Sequence, residues 1–87
     1  MPKKEHLLPM RKLKLIWDFR GPTANHIAEH HAKHLSEYAS MEQLELGITG
    51  FDNISDMYAI AYIVVYENNM IQVRDALKPH RGEVYQE

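Results

Sequence analysis

Residues 57–66 read MYAIAYIVVY, a run of β-branched, aromatic and small apolar side chains flanked by polar residues. This composition is typical of a β-strand, whose successive side chains point to opposite faces of a sheet. One face carries alanine and aliphatic side chains and the other carries the tyrosines, as Met57, Ala59, Ala61, Ile63 and Val65 against Tyr58, Ile60, Tyr62, Val64 and Tyr66. We predict that helices cover the alanine face, because small residues there leave room for large neighbours.

Alternating apolar residues predict three more strands around this one. Residues 12–19 form a half-buried strand with four apolar side chains on one side, Leu13, Leu15, Trp17 and Phe19. Residues 44–51 alternate in the same way, and turn-forming residues after them predict a hairpin, namely Asp52, Asn53, Ser55 and Asp56. A short last strand is predicted over residues 83–86.

Helical periodicity fills two of the intervals between these strands. The first helix begins after a capping Thr23 and runs to about Ser40. Its inward stripe is predicted to contain seven residues, Ala24, Ile27, Ala28, His31, Leu35, Tyr38 and Ala39. The second helix, residues 70–77, begins after a capping Asn68 or Asn69 and turns three residues inward, Met70, Val73 and Leu77.

The resulting order, β-α-β-β-α-(β), is the split arrangement of ferredoxin-like domains. We therefore predict an α+β fold, a ferredoxin-like βαββα(β) sandwich in which an antiparallel sheet carries both helices on one side. Residues 1–10, which are basic and contain two prolines, are predicted to be a flexible N-terminal segment. Residues 11–87 are predicted to form a single domain. This fold serves many unrelated functions, so the topology alone does not identify one.

Composition excludes several classes of function. The 87-residue chain contains no cysteine, which rules out disulfides, thiolate metal sites and cysteine nucleophiles. Its net charge of −2 makes nucleic acid an unlikely partner, because nonspecific binding needs a basic field. Neither a secretory signal nor a membrane span is indicated, so we expect a cytoplasmic protein without a membrane partner.

The tyrosine face of the sheet is the predicted interaction surface. A ferredoxin-like sheet leaves this face open, and exposed apolar patches of such extent usually mark an interface. The predicted interface residues are Ile16, Tyr58, Ile60, Tyr62, Val64 and Tyr66, with Phe51 expected on the same side. A homodimer is the leading interpretation. A ligand cleft between two sheets, as in dimeric α+β barrel enzymes, is an alternative, and an RNA-recognition layout is a weaker one because the glycine-aromatic signature of that family is absent.

Four of the six histidines lie within nine residues of the first predicted helix. His26, His30 and His34 follow one another at i, i+4 spacing, which places imidazoles on adjacent turns as in helical two-histidine zinc sites. Glu37 lies three residues further along and could add a carboxylate ligand. These four residues form the candidate metal site, with zinc or nickel as the ion. The competing interpretation is a solvated helix face.

His31 differs from the other three because it lies within the apolar stripe and points toward the sheet. It is predicted to be either a core histidine whose ring is hydrogen-bonded or the centre of a ligand pocket with Trp17, Asp18 and Arg20. Tyr62 would be near it if the domain were an enzyme. No nucleophile motif supports catalysis, and whether the protein is an enzyme stays open.

These observations favour a non-enzymatic, homodimeric binding or interaction module of otherwise unassigned activity. The alternative is a protein that binds a divalent metal or a small molecule through the histidine-rich first helix, including an enzyme of the dimeric α+β barrel type.

Overall fold

The computed structural model describes residues 10–86, so the predicted flexible segment 1–10 lies outside the described residues except for Met10. Within this part of the chain, four strands and two helices follow one another as β1 Lys12–Arg20, α1 Ala24–Met41, β2 Ile48–Ser55, β3 Tyr58–Tyr66, α2 Met70–Leu77 and β4 Arg81–Val84. A 3-10 turn, Glu67–Asn69, leads into α2. The small α+β architecture predicted from the sequence is confirmed.

The strands form one antiparallel sheet in the order β2-β3-β1-β4. The two central strands, β1 and β3, are paired without interruption, so that Trp17 lies opposite Ala61 and Ile16 lies opposite Tyr62. The outer strands are β2 and the shorter β4. This order follows from the chain: each helix carries the chain across the sheet, and the hairpin from β2 to β3 then places β3 beside β1.

Both helices pack on the alanine face of the sheet, as the alternation of β3 predicts. Trp17 of β1 lies in the core with Ala59 and Ala61 of β3. The indole Nε1–H of Trp17 donates to the carbonyl of Leu77 at 3.0 Å. Because Leu77 is the last residue of α2, this hydrogen bond ties the sheet to the end of that helix. Val73 of α2 is fully buried in the same core.

Helix α1 reaches the sheet through a stripe of short side chains. Its buried residues are Ala24, Ala28, Ala32, Leu35 and Ala39. The predicted stripe was wrong at two positions, because Ala32 is buried while Ile27 is 44% exposed. At about 100° per residue, the buried alanines define a face on whose flank Ile27 falls. Alanine in this face allows the helix to approach the sheet closely.

The bounds of β2 differ from the prediction, which placed that strand over residues 44–51. Gln43 has a φ of +53° and the N–H of Leu44 donates to the carbonyl of Ala39 at 3.0 Å. Residues 42–44 therefore complete the end of α1 instead of starting a strand. Leu44 still packs against the core, which explains why its position fitted an alternating pattern.

The hairpin turn also lies later than predicted. Asp52 and Asn53 belong to β2 and pair with β3, and the chain reverses at residues 56–57 after an irregularity in the register. The N–H of Met57 donates to the hydroxyl of Ser55 at 3.2 Å, which fixes this tight turn. Strand β4 likewise begins two residues before the predicted 83–86.

Thr23 and Asn69 occupy the predicted N-cap positions, but neither side chain makes a capping hydrogen bond. At the start of α1 a backbone hydrogen bond is present instead, in which the N–H of Ala24 donates to the carbonyl of Gly21. Gly21 has a φ of +116°, a conformation that favours glycine over other residues.

Among the described residues, no helix is long and apolar enough to cross a membrane.

A substitution at Gly47 tests how closely α1 approaches the loop before β2. A Cβ at Gly47 would lie 2.8 Å from the Cβ of Ala39, which cannot move away without moving the helix. We expect Gly47→Ala to lower the free energy of unfolding by about 1–3 kcal/mol. The measurement is urea denaturation followed by circular dichroism.

The matched control for this substitution is Gly82→Ala. A Cβ there would meet the end of the flexible Leu15 side chain at 3.1 Å, so that a small rotation relieves the contact. Equal losses of stability in the two variants would contradict the tight packing of Gly47 against Ala39.

Candidate functional site

Two of the predicted metal ligands converge on the outer surface of α1. The Nε2 atoms of His30 and His34 lie 3.1 Å apart, and their ring centroids are 4.8 Å apart in an edge-to-face arrangement. Both side chains are exposed. The i, i+4 spacing on a regular helix produces this contact, because residues four apart are neighbours on one side of the helix. Two imidazole nitrogens therefore lie within hydrogen-bond distance of each other.

The other two predicted ligands, His26 and Glu37, do not take part in this contact. Glu37 lies near the opposite nitrogen of His34, with 3.9 Å between its Oε1 and Nδ1. Its carboxylate therefore lies beside the nitrogen that does not contact His30, at a distance too long for a hydrogen bond. His26 lines a shallow depression together with Glu29, His30 and Lys33. Within residues 10–86, no three histidine, aspartate or glutamate side chains are grouped closely enough to hold one metal ion.

His31 lies on the side of α1 that faces the sheet, next to two aromatic rings. Its ring centroid is 5.0 Å from that of Trp17 and 5.4 Å from that of Phe19. The Nε2 atom is buried, and no residue in the described range gives it a hydrogen bond. Burial, aided by the nearby charges of His34 and His80, lowers the pKa of His31. The imidazole is therefore neutral near pH 7.

The predicted ligand pocket is divided between the two faces of the sheet. Trp17 and His31 meet under the helices, but alternation along β1 places Asp18 and Arg20 on the tyrosine face. Asp18 accepts hydrogen bonds there from the hydroxyl of Tyr58 at 2.6 Å and from the guanidinium of Arg81 at 3.1 and 3.2 Å. Hydrogen bonds from Arg81 and Tyr58 lower the pKa of the Asp18 carboxyl. The guanidinium of Arg20 lies 4.0 Å from the centroid of the Tyr58 ring.

Two residues of these clusters, His80 and Arg81, were not among the predicted site residues. The backbone N–H of Asp18 donates to Nδ1 of His80 at 2.8 Å, beyond the point where β4 stops pairing with β1. The His80 ring thereby replaces a missing bond of the sheet. Both residues lie just before Gly82, and the pairing of β4 with β1 brings them beside the end of β1. The sequence pattern gave no signal for this contact, because it predicted no order of strands within the sheet.

The tyrosine face is less open than predicted. Three of its aliphatic residues, Ile16, Ile60 and Val64, are buried in the single chain, with Ile16 and Val64 only 2% and 0% exposed. The predicted tyrosines are half-buried. Tyr62 lies across Gly50, where an added Cβ would come within 2.5 Å of its hydroxyl, and Nζ of Lys14 sits 4.3 Å from the centroid of its ring. The pKa of Tyr62 is raised by burial.

Phe51 does not belong to this face. It pairs with Ala61, and paired residues of neighbouring strands point to the same side of a sheet. Phe51 therefore lies on the helix side, where β2 forms the edge. The tyrosine face instead gains Ile48 of β2, which pairs with Val64 and is 42% exposed.

The depressed pKa of His31 predicts a pH dependence of stability. An unfolded histidine binds its proton near pH 6.5, but the folded protein binds it only at lower pH. The stabilisation is therefore complete above about pH 6.5 and is lost as the pH falls through the interval down to the folded pKa. We expect His31→Phe to flatten the slope of unfolding free energy against pH in this interval, measured by urea denaturation. His26→Gln is the control, and an unchanged slope in His31→Phe would rule out this assignment.

Comparisons with known protein families, with curated proteins and with solved structures found no match to this chain.

Proposed function

We propose that this chain is a ferredoxin-like, non-enzymatic binding domain whose first helix binds a divalent transition-metal ion through His30 and His34. The ferredoxin-like assignment is supported by the element order and by an antiparallel sheet in the order β2-β3-β1-β4 with both helices on one side. The metal proposal rests on the distance of 3.1 Å between the Nε2 atoms of His30 and His34.

That distance suits two ligands of one ion. Zinc–nitrogen bonds of about 2.0–2.1 Å at a tetrahedral angle separate two ligand nitrogens by roughly 3.3–3.4 Å. The two imidazoles are therefore within a few tenths of an ångström of the spacing that zinc requires. In the absence of metal, the same contact is within the distance of an N–H···N hydrogen bond between the two rings. Glu37 lies on the far side of His34, where 3.9 Å between its Oε1 and Nδ1 is too long for a hydrogen bond.

The ions that fit best are zinc and nickel, since neutral imidazole is a preferred ligand of both. His26 is left outside the pair because the contact at 3.1 Å joins only His30 and His34. With two protein ligands, the remaining coordination positions of the ion are open. An open site of this kind suits binding of a metal ion and does not by itself identify a reaction.

Self-association through the edge strand β2 and the adjoining part of the tyrosine face is a second candidate function. It is favoured by β2, an eight-residue strand at the edge of the sheet that is largely exposed. An unpaired strand edge is a template for pairing with another chain. Ile48 adds an exposed apolar side chain where this edge meets the tyrosine face. A second copy of the chain, paired edge to edge, would cover both the free edge of β2 and the side chain of Ile48.

The metal proposal predicts thermal stabilisation. Zinc or nickel ions at pH 7.5 bind only the folded pair of imidazoles and should raise the melting temperature, by roughly 4–8 °C for each kcal/mol of binding linkage. Because protons compete with metal ions for imidazole nitrogens, the shift should shrink as the pH is lowered to about 5.5. Differential scanning fluorimetry of untagged protein measures both effects.

Variants of α1 locate the site. We expect the His30→Ala, His34→Ala double variant to show no metal-dependent shift, while His26→Ala keeps the shift of the wild type. The two variants are matched because all three histidines are exposed on the same helix. A shift that survives the double variant and vanishes in His26→Ala would place the metal elsewhere on the helix.

The self-association proposal makes a separate prediction. Ile48→Glu puts a carboxylate where two sheet faces or edges would meet, and it should convert a metal-free dimer to a monomer in light scattering at micromolar concentration. Ile27→Glu is the control, because Ile27 is equally exposed but lies on α1. A monomeric wild type, or a dimer unaffected by Ile48→Glu, counts against this second candidate.

A further inference from the structure

The outer side of α1 carries a second regular pattern besides the histidine pair. Five of its residues follow one another at steps of three and four, Ile27, His30, His34, Glu37 and Met41. This is the spacing of the a and d positions in a coiled coil, which meet along one seam between two helices. At about 100° per residue, the stripe lies roughly 140° around the helix from the buried alanines. We call it the outer seam of α1.

The two ends of the outer seam are apolar and its centre is polar. Ile27 is 44% exposed and Met41 is 73% exposed, and these are the only large apolar side chains that this stripe contains. The two histidines lie between them. From Ile27 to Met41 the seam is roughly 21 Å long, which corresponds to two heptads. Two heptads with polar central positions are too short to hold two helices together without another interaction.

A metal ion supplies such an interaction because one chain cannot fill its coordination sphere. His30 and His34 provide two nitrogens, and no third ligating side chain joins them among the described residues. Closed zinc sites in proteins are usually four-coordinate. A two-fold axis parallel to α1 and beside the histidine pair aligns a second helix in parallel and in register, as the a and d positions meet in a coiled coil. It brings a second His30 and His34 to the same ion and completes four nitrogen ligands.

The charges around the histidine pair agree with this arrangement. Glu29, Lys33 and Glu37 flank the pair on α1 and give each copy one net negative charge. Two copies and one divalent cation therefore sum to zero. Without the cation, two such surfaces would repel each other weakly, which favours separation of the helices in metal-free protein.

We infer that the metal site at His30 and His34 is completed by the same two residues of a second copy, so that a divalent ion joins two chains along their outer seams. The inference rests on the proposed metal binding and extends it. The occupant of the seam is a second copy of this chain, and Ile27 and Met41 become buried on either side of the ion. The resulting dimer is independent of the tyrosine face.

The test uses full-length Ile48→Glu protein, which is chosen to prevent self-association through β2 and the tyrosine face, with zinc sulfate as the only added ion. We expect isothermal titration calorimetry to give one zinc ion per two chains. Sedimentation equilibrium should show a monomer that becomes a dimer on zinc addition and a monomer again after EDTA. One zinc ion per chain with an unchanged monomer mass overturns the inference but leaves the proposed metal binding standing. No zinc binding overturns both.

A pair of seam variants separates the seam from any other metal-bridged contact. The Ile27→Glu, Met41→Glu double variant keeps both imidazoles but places carboxylates at the apolar ends of the outer seam. Its dimerisation in zinc should therefore require a protein concentration at least about tenfold higher than that of the parent protein. Ile71→Glu is the matched control because Ile71 is 57% exposed and lies on α2. Circular dichroism confirms that each variant is folded. Zinc-driven dimers that persist in the seam variant, or that are lost in the control, contradict the inference.

Discussion

Short side chains at the contact between α1 and the sheet constrain most of what surrounds them. Ala24, Ala28, Ala32 and Ala39 of the helix approach Ala59 and Ala61 of β3 in one core cluster. Because alanine has little volume, the helix lies close to the sheet and the remaining space is filled by the large side chain of Trp17. Replacing any of these alanines with a larger residue would push the helix outward, since protein cores have few voids to absorb extra volume.

This packing also fixes the positions of the histidines. A helix held by a narrow alanine stripe presents its opposite side to solvent, which is where His30 and His34 lie. His31, at the edge of the stripe, is turned against Trp17 and Phe19 instead. Neighbouring residues of one helix therefore have different chemistry. Two imidazoles are accessible to an ion, and the third is kept neutral by burial.

The opposite face of the sheet is organised by a different interaction. The carboxylate of Asp18 accepts hydrogen bonds from residues of β3 and β4 and so connects three strands at one end of the sheet. His80 completes the hydrogen bonding of β1 just beyond the last residue pair of β4. These contacts hold the short strand β4 in place, although that strand contributes little to the core.

The residue pattern was enough to predict the elements, their order along the chain and the side of the sheet that the helices cover. The alternation of residues 57–66 and the small residues at 59 and 61 were sufficient for this, because a period of two allows only two faces. The i, i+4 spacing of His30 and His34 likewise predicted that they would be neighbours on one helix. The bounds of β2 could not be predicted in this way, because the hydrogen bond from the N–H of Leu44 to the carbonyl of Ala39 depends on how α1 ends. The separation of Asp18 from His31 by the sheet already follows from the alternation of residues 12–19. Tertiary packing also leaves Ile27 exposed and brings Arg81 to Asp18 across 63 positions of sequence. Local periodicity carries no information about contacts of that separation, since they arise only when the strands are paired.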